Sequence, residues 1–155
     1  MQKRFKAFTT LITNINRYIK RIKTEEMQQF DLKSVHVSCV YYLYKEGSLT
    51  IKELCEVCDE DKANISRAVE YLEDRGYIIK RTKGSKRYKS PIELSDDGKN
   101  MGSIIADKIH NIFLEVTSDI PEEDREAMYR SLEVISENLR KYCDGYDKIC
   151  DKMSD

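Results

Sequence analysis

The sequence predicts a mainly helical chain with one small β-hairpin, an α+β fold. Three observations carry that expectation. Apolar residues recur at helical spacing along most of the 155 residues. Capping residues stand just ahead of several of these apolar stretches. One segment, residues 77–94, instead alternates apolar and polar residues around a glycine.

The elements follow in order. Phe5, Phe8, Ile12, Ile15, Ile19 and Ile22 are spaced by three and four residues and predict a helix over residues 4–23. Val35, Cys39, Val40, Leu43 and Tyr44 predict a second over 32–45, stopped by Gly47. In LTIKELCEVC, Thr50 and Glu53 form a T-x-x-E capping box, so a third helix should start there and bury Ile51, Leu54, Cys55 and Cys58. Asp61 is a suitable N-cap for DKANISRAVEYLEDRG, whose inward residues are Ile65, Ala68, Val69 and Leu72, with Gly76 as the stop.

YIIKRT and RYKSPIEL then predict the hairpin, turning at Lys83-Gly84-Ser85. Pro91 has no amide hydrogen, so the return strand should have a free edge there. Ser95 caps a helix that runs through Ile104, Ile105, Ile109, Ile112, Phe113 and Val116. Pro121, followed by Glu122, Glu123 and Asp124, opens the last helix. There Met128, Leu132, Ile135, Leu139, Tyr142, Tyr146 and Ile149 form a second heptad-like seam. Two such seams at opposite chain ends predict helices that pack together and against a second protomer.

Charge is divided unevenly. Residues 1–90 hold 19 basic and 12 acidic side chains (+7), and residues 91–155 hold 8 and 16 (-8), which together give the net charge of -1. Within the basic half, IKRTKGSKRYKS at residues 79–90 has six Lys or Arg and no acid. An anionic partner for the first half is the expectation. No apolar run approaches the length of a membrane span, and Thr13, Asn14, Asn16 and Arg17 break up the basic N-terminal stretch as a secretory signal. The expected compartment is the cytoplasm, with no membrane partner. Cys39, Cys55, Cys58, Cys143 and Cys150 then read as free thiols rather than a disulfide framework.

Two short helices joined by a tight turn and followed by a basic hairpin make a winged helix-turn-helix. The chemistry fits. A recognition helix enters the DNA major groove with its early residues facing base edges. In KANISR those are Lys62, Ala63, Asn64, Ser66 and Arg67, with Ile65 and Ala68 turned inward. Asn can pair bidentately with adenine, and Arg or Lys with guanine. The hairpin adds Lys80, Arg81, Lys83, Lys86, Arg87 and Lys89 for contacts to the DNA backbone.

LTIKELCEVCDEDKANISRAVEYLEDRGYIIKR, followed by a wing ending in PIELSDDGK, resembles the MarR family of bacterial transcriptional regulators. The matches are Leu49-Thr50, Glu53-Leu54, residues 62–67, Leu72-Glu73 with Gly76-Tyr77-Ile78, and Leu94-Ser95 with Gly98. They span about a third of the chain, and the flanking helices follow the family's order. The resemblance implies a homodimer with interlaced terminal helices and a winged helix-turn-helix from each protomer on a pseudo-palindromic double-stranded operator. It divides the chain into an N-terminal dimerisation helix (1–30), a DNA-binding domain (31–98) and C-terminal dimerisation helices (99–155). It assigns Lys62, Asn64, Ser66 and Arg67 to the recognition helix, and Lys83, Lys86, Arg87 and Lys89 to the wing. A departure lies in the wing: many members carry an Asp just before the Arg, whereas Gly84-Ser85-Lys86-Arg87 has no acid.

The remaining candidates are weaker. Cys55-x-x-Cys58 falls on an inward helix face without a second pair, and reads as core packing. Cys143 and Cys150 stand a heptad apart, too far to bridge each other within one protomer. His36, Cys39, Asp107 and His110 are too few ligand types in known proximity to argue a metal site, so no metal or cofactor is expected. Tyr41, Tyr42 and Tyr44 belong to helix packing or to a cleft for a small aromatic effector, a cleft such as the family often has. No nucleophile–base pair, phosphate loop or carboxylate pair appears, so no enzyme is expected. The expected function is a homodimeric repressor released by a signal. The alternatives are a thiol- or metal-responsive regulator of the same fold, and a winged-helix protein-interaction module that reads no DNA.

Overall fold

A computed structural model describes residues 2–79 and 90–152 of the chain. Among them are six α-helices: α1 (Gln2–Glu26), α2 (Ser34–Glu46), α3 (Ile51–Cys58), α4 (Lys62–Asp74), α5 (Asp96–Val116) and α6 (Glu122–Lys152). Two short strands, β1 (Ser48–Leu49) and β2 (Ile92–Glu93), complete the regular structure together with a 3₁₀ turn at Gln28–Phe30. The mainly helical α+β expectation is met.

One compact unit extends to His110 and a second begins at Asn111. In the first, α2 packs on α1, α3 and α4. Its core is built from Val37, Cys39, Val40 and Leu43 of α2, Leu54 of α3, and Ile65, Val69 and Leu72 of α4. Ile78, Ile92, Leu94, Met101 and Ile105 close it from the strand side. The i, i+3, i+4 spacing within each helix turns these residues to one face, where burial removes them from water.

The local stop and start signals act as the sequence predicts. Gly47 ends α2 at φ 83°, and its N–H donates to the Leu43 carbonyl. The Glu53 N–H donates to Thr50 Oγ1 at 3.3 Å, while the Thr50 N–H donates to Glu53 Oε2 at 2.7 Å. The Thr50 N–H, and after it the Thr50 hydroxyl, which donates to the same oxygen at 2.8 Å, hold the Glu53 carboxyl below its ordinary pKa. The Ser95 hydroxyl caps α5, accepting from the Gly98 N–H at 3.0 Å and donating to the Gly76 carbonyl.

The sheet differs from a simple hairpin. β2 pairs antiparallel with β1, with Ser48 opposite Glu93 and Leu49 opposite Ile92. On its other side Leu94 bridges Ile78, and the Ile79 N–H donates to the Glu93 carbonyl at 3.0 Å. The return strand is thus the middle of three short segments, because Leu49 and Ile92 lie on the core and bring their backbones together. The turn at Lys83-Gly84-Ser85 lies outside the described residues.

α1 and α6 carry the two predicted seams, and both are largely uncovered. Phe5 is 71% exposed and Ile15 52%; on α6, Leu139 is 57% and Tyr142 68%. The side chains of Tyr146 and Ile149 lie outside the described residues. On α5, Ile105 is buried but Ile104, Phe113 and Val116 are exposed.

Candidate nucleic-acid interface

The candidate interface is built on the α3–α4 pair. Asp59 takes a left-handed conformation at φ 53° and its N–H reaches back to the carbonyls of Cys55 and Glu56, which ends α3 abruptly. Asp61 then starts α4, its Oδ1 accepting from the Asn64 N–H at 2.8 Å. Ile65, Ala68, Val69 and Leu72 anchor α4 in the core, so the opposite face is turned outward.

That face holds the predicted recognition residues. Lys62, Ala63 and Arg67 are exposed, and Asn64 and Ser66 are half-buried. Asn64 is engaged: its Nδ2 donates to Glu60 Oε2 at 2.7 Å. Lys20 of α1 approaches Glu60 Oε1 at 3.4 Å. The turn carboxylate therefore ties the recognition helix to α1, a link that sequence spacing did not indicate.

Beside α4 lies a groove of about 420 Å³, lined by Asp31, Lys33, His36, Asn64, Arg67 and Tyr71 among others. Its floor is rigid. The His36 ring stacks on Tyr71 at 4.3 Å with 9° between planes, and the Lys33 N–H donates to His36 Nδ1 at 3.2 Å. The Tyr71 hydroxyl donates to the Asp31 carbonyl at 2.7 Å, and Arg75 Nη2 donates to the Phe30 carbonyl at 2.9 Å. Burial, reinforced by Lys33, holds the His36 pKa below its ordinary value. The groove thus presents Lys33 and Arg67 around a neutral aromatic floor, and cations so placed beside a recognition helix suit phosphate. Sequence reasoning missed Lys33, His36 and Tyr71 here, because stacking across 35 positions leaves no periodic signal.

The wing residues Lys83, Lys86, Arg87 and Lys89 fall within 80–89, outside the described residues. The segments on either side are joined by the Ile79–Glu93 hydrogen bond.

Tyr41 and Tyr42 meet edge to face at 5.4 Å and pack against the core, while Tyr44 lies against Gly102. Among the described residues no three His, Cys, Asp or Glu converge as metal ligands. Cys55 is half-buried rather than buried, and packs against the edge of the core. No described helix is long and apolar enough to cross a membrane.

Comparison with known proteins agrees with this geometry. The model of the MarR family matches residues 30–87. A helix-turn-helix-type transcriptional regulator of Bacillus subtilis, the uncharacterized YwoH, is 28% identical over 120 residues, covering 76% of this chain and 87% of the relative. Among solved structures, a MarR transcriptional regulator from Methanosarcina mazei superposes with a TM-score of 0.76 at 21% identity, covering 88% of this chain and 98% of that one. A MarR-family regulator from Listeria monocytogenes, solved with a 26mer DNA, has a TM-score of 0.74 at 18% identity, with 84% and 87% covered. The capped α4, the strand pairing and these likenesses agree: residues 30–87 match the model of the MarR family, and the chain shares the fold of solved MarR-family regulators.

Proposed function

We propose that the chain is a homodimeric, sequence-specific DNA-binding repressor acting in the cytoplasm on a pseudo-palindromic operator and released by a signal. One observation carries the reading. α4 is fixed by its Asp61 cap and its buried Ile65–Val69–Leu72 face, so Lys62, Asn64, Ser66 and Arg67 stand at the outward start of the helix. Those side chains have the donors and acceptors that base edges require. The cationic groove beside them suits the phosphate backbone, and the basic segment 80–89 supplies Lys83, Lys86, Arg87 and Lys89 as the wing's contacts. The Listeria protein of the same fold, crystallised with a 26mer DNA, supports DNA as the partner. The uncovered seams of α1 and α6 favour a second copy of the chain, and a small aromatic molecule is the effector class that best suits a tyrosine-rich α2.

The test is a fluorescence-anisotropy titration with the DNA upstream of the protein's own gene, against random duplex of equal length. Specific binding should be at least about a thousandfold tighter and should weaken steeply with salt. Equal affinity for both duplexes would overturn the reading in favour of a protein-interaction module.

A further inference from the structure

α1 reaches the start of the recognition helix through one lysine. Lys20 Nζ stands 3.4 Å from Glu60 Oε1, while Glu60 Oε2 accepts from Asn64 Nδ2 at 2.7 Å. One carboxylate, in the turn between α3 and α4, is thus shared by a cation of α1 and the amide of a recognition residue. The Glu60 side chain is 23% exposed and that of Lys20 44%, so the pair is partly withdrawn from water.

We propose that Lys20 is a positioning residue for base reading: it balances the Glu60 carboxylate so that Asn64 can leave it for a base. The inference rests on the DNA-binding function proposed above and adds to it a residue outside the helix-turn-helix.

On DNA, Asn64 exchanges the Glu60 oxygen for a base edge. What that exchange costs depends on the carboxylate left behind. A half-buried anion that loses a donor is destabilised unless a compensating charge stays beside it. Lys20 is that charge. It shares the carboxylate in the free protein, which weakens the hold of Glu60 on Asn64, and it remains with Glu60 once Asn64 has turned away. Without Lys20, the same carboxylate holds Asn64 more tightly, and the penalty falls on those DNA sequences that Asn64 reads.

Lys20 is placed for this by a well-seated helix end. One turn on, Lys23 Nζ donates to Ser38 Oγ of α2 at 3.0 Å, and Thr24 Oγ1 accepts from the Ser34 N–H at 3.2 Å. Glu26 meets Lys108 of α5 at 3.0 Å. Lys20 and Lys23, three residues apart, share the face of α1 that these contacts hold against the DNA-binding unit. Arg21, the next residue, points elsewhere: its Nε lies 3.8 Å from Glu25 of the same helix, and both side chains are exposed.

The quantity to measure is the ratio of affinities for the upstream DNA and random duplex, by anisotropy at one salt concentration, because a general loss of charge cancels in it. Lys20→Met, which keeps the aliphatic stem, and Lys20→Gln, which keeps polarity, should each lower this ratio by about threefold to tenfold. Arg21→Met removes the same charge one residue away and should leave the ratio unchanged, and Lys20→Arg should retain it. In a Glu60→Ala background, Lys20→Met should have no further effect on the ratio. Circular dichroism establishes that each variant is folded. A fall that persisted without Glu60, a fall matched by Arg21→Met, or no fall at all would overturn the proposal. A second measurement needs no DNA: by NMR of the free protein, the Asn64 side-chain amide protons should exchange with water more slowly in Lys20→Met than in the parent chain. An unchanged exchange rate would also overturn it. If the parent chain bound both duplexes alike, the proposed function would fall, while amide exchange would still decide whether Lys20 governs the Asn64–Glu60 bond.

Discussion

Asn64 Nδ2 donates to Glu60 Oε2 at 2.7 Å, and the other oxygen of that carboxylate lies 3.4 Å from Lys20 Nζ. An amide suited to adenine is thus held by the turn that precedes its own helix. Reading a base in bidentate fashion requires both amide functions, so Asn64 must leave Glu60 on binding. Glu60→Ala removes that competition and a negative charge facing the phosphates. Its affinity for the upstream DNA should rise severalfold, about 1 kcal/mol, in an anisotropy titration. A fall would mean that Glu60 holds Asn64 in its productive orientation.

Arg67 and Lys86 should separate on DNA. Arg67 is exposed near the start of α4, and Lys86 belongs to the basic segment. Arg67→Ala should cost about 1–3 kcal/mol on the preferred duplex and little on random sequence. Lys86→Ala should weaken both alike and reduce the salt slope by about one. Titrations of each variant against both duplexes at several salt concentrations decide; equal losses for both variants would sink this division.

Gly98 has a packing role that its family motif does not explain. A Cβ built there would lie 1.9 Å from the Tyr77 carbonyl oxygen. That carbonyl already accepts from the Ser95 N–H at 3.0 Å, so it cannot retreat without breaking the strand-to-α5 junction. At Gly102 a Cβ would meet the Tyr44 side chain at 2.7 Å. Gly98→Ala should destabilise by about 3 kcal/mol in urea unfolding. Gly102→Ala should cost about 1–2 kcal/mol, relieved when Tyr44 is also reduced to Ala.

The helix starts were legible because capping is local: Thr50 with Glu53, Asp61, and Ser95 with Gly98 each act within three residues. The outward face of α4 was legible for a similar reason, since one helix's periodicity sets both its buried and its exposed side. Contacts between elements were not. The pairing of Leu49 with Ile92 joins backbones 43 positions apart through a shared core, and nothing in two residues announces a strand. Cys55-x-x-Cys58 drew attention to a spacing, yet only Cys58 of the two is buried. On α5 the apolar count gave weight to Ile104 and Phe113, yet Gly98 and Gly102 make the close approaches, and glycine carries no hydrophobic signal.

His36 predicts an acid-sensitive groove. Its folded pKa is depressed by burial, so the neutral ring is the native form. A base whose folded pKa lies below its unfolded value, about 6.5, contributes stability that is present above that value and lost as pH falls through the folded one. Protonation at Nδ1 would also remove the acceptor of the Lys33 N–H and add charge near Lys33 and Arg75. Urea midpoints should therefore fall between pH 7.5 and pH 5.5. His36→Asn, which can accept at the same place without titrating, should flatten that fall; an unchanged slope would assign it to other groups.

The apolar seams of α1 and α6 predict how the protein assembles. Ile15 and Ile19 on α1, and Leu132 and Leu139 on α6, are each at least one-third exposed in the single chain. Stripes of this kind, repeated along two long helices, are seldom left to water in a stable protein. Burying one such side chain contributes about 1.5–3 kcal/mol, and a carboxylate in its place adds a desolvation cost. Ile15→Asp or Leu139→Asp should therefore raise the dimer dissociation constant by at least about tenfold, read by sedimentation velocity over a concentration series. Val57→Asp, on an exposed position of α3 outside both seams, should leave it unchanged. Because two linked half-site contacts bind more tightly than one, the seam variants should also lose operator affinity while random-duplex binding changes little. A seam variant that remained dimeric would move the interface elsewhere.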